Sequence, residues 1–240
     1  MGGRSGIQAA NQAETTGKMS NRQIEVGAAK VHIDHPTWAL VLKRIFDVVI
    51  SLMVLLAIWP LLFLASLAVK LSSPGPIFYR GVRSGLYGKP FRILKFRTML
   101  EDAESLGGPT TGTNDHRLTR IGAFLRRTKI DELPQFLNVL VGDMSLVGPR
   151  PEVLEYTATY EGEENCIFSM RPGITDYASI EFADLDDRVG NIDPDKYFRE
   201  QVMPRKTALR VKYVKEWSLM SDFSILWATF FRVVKRIVVQ

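Results

Sequence analysis

Charged and apolar positions divide this chain sharply. From Val48 to Val69 no charged side chain occurs, a stretch long enough to cross the hydrocarbon core of a bilayer as a helix. Pro60 lies near its middle, where it deletes a helical hydrogen bond and crowds the preceding turn, so a bend is expected around Ile58-Trp59-Pro60. Lys43 and Arg44 flank one end of the run; Lys70, Arg80 and Arg83 flank the other. Cations at both ends cannot both lie on the cytoplasmic side if the helix crosses. A helix over 38–72 that enters, bends at Trp59 and Pro60, and returns to the same face satisfies both ends. Ser51 and Ser66 are then available to carbonyls that the bend frees. A Pro-kinked spanning anchor is the competing reading.

Beyond the run, Ser73-Pro74-Gly75-Pro76 forces a turn. Ile77 to Val82 and Phe91 to Thr98 predict two short strands joined through the turn-rich Ser84 to Pro90, a β-hairpin. Its basic residues are Arg80, Arg83, Lys89, Arg92, Lys95 and Arg97, a set suited to anionic lipid headgroups. By strand alternation Lys95 and Arg97 share one face and can hold a phosphate together. Residues 101–115 read as a helix start followed by a loop.

Helical patterning resumes at Leu118 to Arg127, with Ile121, Phe124 and Leu125 on the apolar side, and again from Asp131 to Val141. It returns over Pro194 to Trp217, with Leu209, Tyr213 and Val214 in register. The last helix, about 218–240, carries Phe223, Leu226, Trp227, Phe230, Phe231 and Val234 at helical spacing and closes with Arg232, Lys235 and Arg236. That face suits a core or a membrane interface, and the anchor upstream favours the interface. Residues 1–37 lack Phe, Trp and Tyr and read as a flexible tail without the apolar region of a signal peptide. The expected fold is therefore α+β and mainly helical: a monotopic membrane protein with a tail over 1–37, a re-entrant helix over 38–72 and a domain over 73–240 lying on the membrane.

A 46% apolar content with 10% aromatics excludes a disordered or fibrous chain. A net charge of +5 favours phosphate-bearing partners or an anionic membrane surface. Nucleic acid is the rival partner for such a charge, but no recognition helix or RNA-binding motif accompanies it, so none is expected. The single Cys166 excludes an internal disulfide, and His32, His35 and His116 are too scattered for a zinc site.

The chemistry concentrates at Asp131-Glu132, an acidic pair set among Arg126, Arg127, Lys129 and Arg150. Thr128-x-x-Asp131 has the spacing of a capping box, which would make the pair structural. Pro134 is tolerated mainly in a first turn, so the helix more naturally begins at or near Asp131. That position favours an ionised carboxylate and presents free N–H groups to a phosphate. A carboxylate can attack a phosphoryl group and form an acyl phosphate. The repulsion between the two anions calls for Mg²⁺, held by one or both of Asp131 and Glu132 with substrate oxygens. Arginine forks would hold the remaining oxygens. Arg126 stands about a turn before the pair. Arg150 follows it in Gly148-Pro149-Arg150-Pro151, where two prolines restrict its backbone. Arg171-Pro172 repeats that turn chemistry. Plainer readings make Arg126 a solvated helix face and Arg150 a surface turn.

Six motifs stand in one order. They are Lys43-Arg44-x-x-Asp47, Ser73-Pro74-Gly75-Pro76, Lys95-Phe96-Arg97-Thr98-Met99, Asp131-Glu132-Leu133-Pro134-Gln135-x-x-Asn138, Met144 to Pro151, and Arg171-Pro172-Gly173-Ile174-Thr175. Together, over roughly Ala39 to Gln240, they resemble the bacterial sugar transferases, the monotopic phosphoglycosyl transferases that start surface-glycan assembly. The resemblance implies transfer of a sugar phosphate from a UDP-sugar to polyprenyl phosphate, with release of UMP, at the cytoplasmic face of the bacterial membrane. By that likeness Asp131 is the nucleophile and Glu132 its partner at Mg²⁺. Lys95, Arg97, Arg126 and Arg150 steady phosphates, Gly148 to Pro151 lie near the nucleotide, and Arg171 is a further candidate. A homo-oligomer is compatible with it. After Thr175 the chain departs from many relatives: Asp176-Tyr177-Ala178-Ser179-Ile180-Glu181 replaces a Gly-Trp-Ala-Gln segment, which leaves sugar and nucleotide preference open. Two other readings remain beside it, a membrane-tethered binding protein with a structural acid pair and an enzyme that hydrolyses the donor.

Overall fold

The computed structural model describes residues 33–100, 103, 115–183 and 194–238. The expected tail over 1–37 and the loop over 101–115 fall largely outside the described residues.

Helix α1, Thr37–Ser72, runs without interruption through Pro60. Its 36 residues give about 54 Å of rise, and by length and composition it could cross a membrane. Burial along it is confined to the two ends. Ala39, Lys43, Asp47 and Ser51 are buried at fourfold spacing in the first half, and Ala65 and Val69 in the second. Between them Leu52, Met53, Leu56, Trp59, Phe63 and Leu64 are exposed. The first half packs with Val139, Met144 and Leu146, the second with Phe96 and Leu125, so both ends rest on the folded body and the middle does not. Ser66 Oγ donates to the Leu62 carbonyl (2.7 Å), not to the Leu56 carbonyl that Pro60 deprives of its helical donor, and Ser51 Oγ is buried without a partner among the described residues.

The next segment is an antiparallel ribbon. Strand β1 (Phe78–Tyr79) pairs with β4 (Lys95–Phe96), and β2 (Val82–Ser84) with β3 (Pro90–Arg92). Ile93 N–H donates to the Gly81 carbonyl (3.0 Å) where the two pieces meet. Phe78 stacks on Phe96 at 5.3 Å between ring centres and anchors the ribbon against the second half of α1. The paired residues are fewer than the sequence predicts, and the last ladder bond at this end runs from Arg97 N–H to the Ile77 carbonyl (2.9 Å).

Helix α2 (Arg120–Arg127) is capped by Thr119, whose hydroxyl accepts from Gly122 N–H (2.8 Å). Ile121 and Leu125 pack inward as expected, whereas Phe124 is exposed. The helix expected from Asp131 to Val141 is divided into a 3-10 turn, Ile130–Glu132, and helix α3, Gln135–Val141, with Pro134 between. Thr128 does not cap it: its hydroxyl donates back to the Phe124 carbonyl (2.9 Å) at the end of α2.

Strand β5 (Ser145–Val147) pairs in parallel with β6 (Gly173–Thr175), an element that the sequence reading lacks. β5 is buried throughout, so it shows no alternation to read. A Cβ at Gly173 would overlap the backbone of Gly148, so the two strands can approach this closely only with glycine there. Helix α4 (Tyr177–Glu181) follows. The helical stretch predicted over 194–217 contains a π-helical turn, Phe198–Val202, that leads into α5, Met203–Lys215. Helix α6 spans Leu219–Val238.

A buried polar network joins these parts. Asp222 of α6 accepts from Lys43 Nζ (2.6 Å), the Tyr213 hydroxyl (2.7 Å) and Trp217 Nε1 (3.2 Å). Lys43 also donates to the Val147 carbonyl (2.8 Å), and Asp47 accepts from the Ser145 hydroxyl (2.7 Å) and Leu146 N–H (3.1 Å). Each charge is buried with its partner, the condition under which burial is tolerated. Asp222 and Ile225 mark the buried side of α6, while Phe223, Trp227, Phe230 and Phe231 are exposed.

Candidate active site

The acidic pair sits at a sharp reversal. Lys129 adopts a left-handed backbone (φ 59°) where α2 ends, which costs a side-chain-bearing residue some strain and starts the turn that carries Asp131 and Glu132. Asp131 is 6% exposed, and its Oδ1 is buried without a hydrogen-bond partner among the described residues. Burial and the neighbouring Glu132 charge raise its carboxyl to about 6, against the pull of Lys95, Lys129 and Arg126.

Glu132 has the opposite surroundings. Its Oε1 accepts from Lys95 Nζ (3.0 Å) and from Arg150 Nη2. Burial works against its charge, yet Arg150 and Lys95 hold its carboxyl well below the ordinary value. The same burial lowers Lys95, with Glu132 opposing.

Arg150 is oriented from behind. Its Nη1 donates to the Ile174 carbonyl of β6 (2.7 Å), and its backbone N–H donates to Asp176 Oδ2 (2.9 Å). Asp176 is itself held by Arg210 Nε (3.2 Å) and by the backbone N–H and hydroxyl of Ser179 (2.6 Å each). Gly148 N–H reaches the Thr175 carbonyl (3.1 Å), which lays the Gly-Pro-Arg-Pro turn along β6. Pro149, Arg150 and Pro151 line a small cavity with Ser84, Gly85 and Tyr160.

The remaining candidates separate. Arg126 Nε donates to the Thr98 hydroxyl (3.0 Å), and its charge acts on Asp131. Arg97 does not join Lys95 as the strand alternation predicts. Its backbone N–H still continues the ladder to the Ile77 carbonyl (2.9 Å), but its guanidinium turns to the Ser73 carbonyl (2.8 Å), the Ser73 hydroxyl (2.9 Å) and the Pro74 carbonyl, bracing the turn after α1. Arg171 Nε donates to the Gly142 carbonyl (3.0 Å) beyond the C-terminal end of α3. Arg44 caps that same end through the carbonyls of Val139 (2.6 Å) and Leu140 (3.0 Å). Arg171 thus lies at the opposite end of α3 from the acidic pair, roughly 10 Å of helix away.

Thr98, Lys129 and Asp176 stand in the motifs named from the sequence, but the sequence gives them no positioning role. Asp176-x-x-Ser179 is a capping signal that could have marked Asp176. Nothing local marks a lysine for positive φ.

Two adjacent carboxylates, one of them with no hydrogen-bond partner among the described residues, suit a hard cation that takes its other ligands from substrate and water, as Mg²⁺ does. Among the described residues no cluster of three or more His, Cys, Asp or Glu exists, so an all-protein cage is not what they offer. Chemically, the site combines a carboxyl raised toward neutral pH, a second held well below its ordinary value, and an arginine and a lysine converging on the second.

Comparison with known proteins agrees with this assembly. The family model described as "Bacterial sugar transferase" matches residues 38–236. The chain is 40% identical over 197 residues to a UDP-glucose:undecaprenyl-phosphate glucose-1-phosphate transferase of Escherichia coli K12, covering 80% of this chain and 40% of that protein. It is 41% identical over 192 residues to a protein of the same name from Caulobacter vibrioides, covering 78% of this chain and 67% of the other. A putative undecaprenyl-phosphate N-acetylgalactosaminyl 1-phosphate transferase of Bacillus subtilis is 46% identical over 124 residues, 52% of this chain and 69% of that one. The chain therefore spans well under half of the E. coli relative and about two thirds of the other two. The match includes both halves of α1, the acidic pair and the Arg150 turn, and on it the chain belongs to the bacterial sugar transferase family.

Proposed function

We propose that this protein transfers a sugar 1-phosphate from a UDP-sugar to undecaprenyl phosphate in two displacements at one carboxylate. The observation that carries the reading is the division between Asp131 and Glu132, one carboxyl without a hydrogen-bond partner among the described residues and the other clamped by Lys95 and Arg150. An Asp131 oxygen bonds to the sugar-bearing phosphorus while the bond from that phosphorus to UMP breaks. An oxygen of the lipid phosphate then attacks the same phosphorus and the aspartyl oxygen leaves, so the carboxylate is regenerated. Arg150 and Lys95 supply cationic charge beside the transferring group. Asp131 and Glu132 would hold Mg²⁺, which neutralises phosphate charge when bound.

Delivery of a lipid phosphate needs the site at the membrane. The two buried ends and exposed apolar middle of α1 support a re-entrant helix with both ends on the cytoplasmic face, because a spanning helix would carry one end to the far side. The exposed aromatics of α6 support an interfacial placement beside anionic lipid. The relatives bear the names of glucose and N-acetylgalactosamine transferases, so the donor sugar is open between them.

The test is UMP release from a panel of UDP-sugars with Mg²⁺, with and without undecaprenyl phosphate. Acceptor-dependent turnover and a lipid-linked sugar are expected. Turnover indifferent to the acceptor would indicate hydrolysis, and neither UMP nor lipid product would reject the proposal.

A further inference from the structure

Gln135 opens α3 one turn after Asp131. The intervening backbone stays right-handed, with Leu133 at φ −56°, ψ −33° and Pro134 at φ −60°, ψ −15°. Residues four apart on such a path share a face, with Cβ atoms about 5–6 Å apart.

Gln135 is 0% exposed, and neither its Oε1 nor its Nε2 has a hydrogen-bond partner among the described residues. Asp131 Oδ1 is in the same condition. Sealing a primary amide away from water without a partner is costly, and an apolar side chain of equal length would avoid that cost. Two unmet groups of complementary chemistry, an amide N–H and a carboxylate oxygen, therefore stand one turn apart.

We infer that Gln135 is a positioning residue for the phosphoryl transfer, its Nε2 donating to Asp131 Oδ1 while Oδ2 attacks phosphorus. The inference rests on Asp131 as the nucleophile. In the first displacement the Oδ2–phosphorus bond forms, the bond to UMP breaks, and Oδ1 becomes the carbonyl oxygen of the acyl phosphate. In the second, the lipid phosphate displaces Oδ2, the electron pair returns to the carboxylate, and the charge growing on Oδ1 meets the same N–H. No proton leaves Gln135 in either step. Holding Oδ1 also fixes the carboxylate plane, so that Oδ2 is presented in one orientation.

The experiment compares Gln135→Met with the wild type in the full-length protein. Methionine keeps the length and apolar volume and removes the amide. The expected result is a melting temperature unchanged or raised by about 2–4 °C. Turnover is expected to fall about 10- to 100-fold, the value of a hydrogen bond to a charged group. KM for the UDP-sugar should change by less than about twofold. The sugar-phosphate adduct on Asp131, followed by intact mass with UDP-sugar alone, should form correspondingly slowly. Normal turnover and adduct formation would overturn the inference. A lowered melting temperature would also overturn it, since it would show the amide bonded within the fold. Asp131→Asn, run in parallel, separates the two levels: an adduct that persists in that variant removes the nucleophile reading itself, whereas its loss beside a normal Gln135→Met removes only the positioning role.

Discussion

Asp131 and Glu132 are adjacent in the chain, yet their carboxyl groups are displaced in opposite directions. Burial and the Glu132 charge raise Asp131 to about 6, while the half-buried Glu132 is kept well below its ordinary value by Arg150 and Lys95. One backbone step separates the two environments, and the cations on Glu132 Oε1 make the difference.

Asp131→Asn is expected to abolish transfer and stabilise the fold together. The folded-state carboxyl lies near 6 and the unfolded one near 3.8, so the folded state binds more protons between those values. Ionisation therefore costs stability as pH rises through about 4 to 6, on the order of 1–3 kcal/mol once complete. Melting curves should place the amide variant several degrees above the wild type at pH 7.5, with the gap closing toward pH 4. The first-step UMP burst of the wild type should fall about tenfold per unit below pH 6. A burst that is flat down to pH 5 would place the nucleophile elsewhere.

Arg150→Lys removes a planar fork that serves Glu132 and the Ile174 carbonyl at once. A lysine ammonium keeps the charge and loses that double contact, so turnover is expected to drop about 10- to 100-fold despite the retained charge. Steady-state rates decide it; full activity in the lysine variant would show that charge alone suffices.

Gly173→Ala should act on the site from behind. Its Cβ would meet the backbone of Gly148, which has no flexible end to yield, and the shift would move the turn that carries Arg150. A loss of both melting temperature and turnover is expected. A variant with wild-type values for both would mean that the β5–β6 approach relaxes freely.

The re-entrant reading makes a topological prediction. Cysteines replacing the exposed Trp38 and Arg80 should react with a membrane-impermeant thiol reagent from the same side of sealed vesicles. Native Cys166 is fully buried and should contribute little background. Labelling from opposite sides would establish a crossing.

The parts legible in the sequence were those with a strong local signal. The uncharged run with Pro60 announced α1, and the grouping of Asp131 and Glu132 with Arg150 between prolines survived into one cluster. Lys95 and Arg97 show where such reading fails: alternation places two residues on one side of a strand but does not say where long side chains end, and the Arg97 guanidinium goes to Ser73 while Lys95 Nζ goes to Glu132. β5 and β6 escaped because three-residue strands in the interior carry no period. Arg171 looked like Arg150 because each precedes a proline, but its partner is a helix end that only the tertiary fold brings near.

The packing of both halves of α1 on the folded body also bears on which membranes suit the protein. A spanning helix must match its apolar length to the bilayer, and tilts or deforms the lipid where the two differ. An anchor that turns within one leaflet never meets the far headgroup layer. On the re-entrant reading, bilayer thickness drops out of the anchor's energetics, and the carboxylates would keep their height above the near lipid phosphates as the membrane thickens or thins.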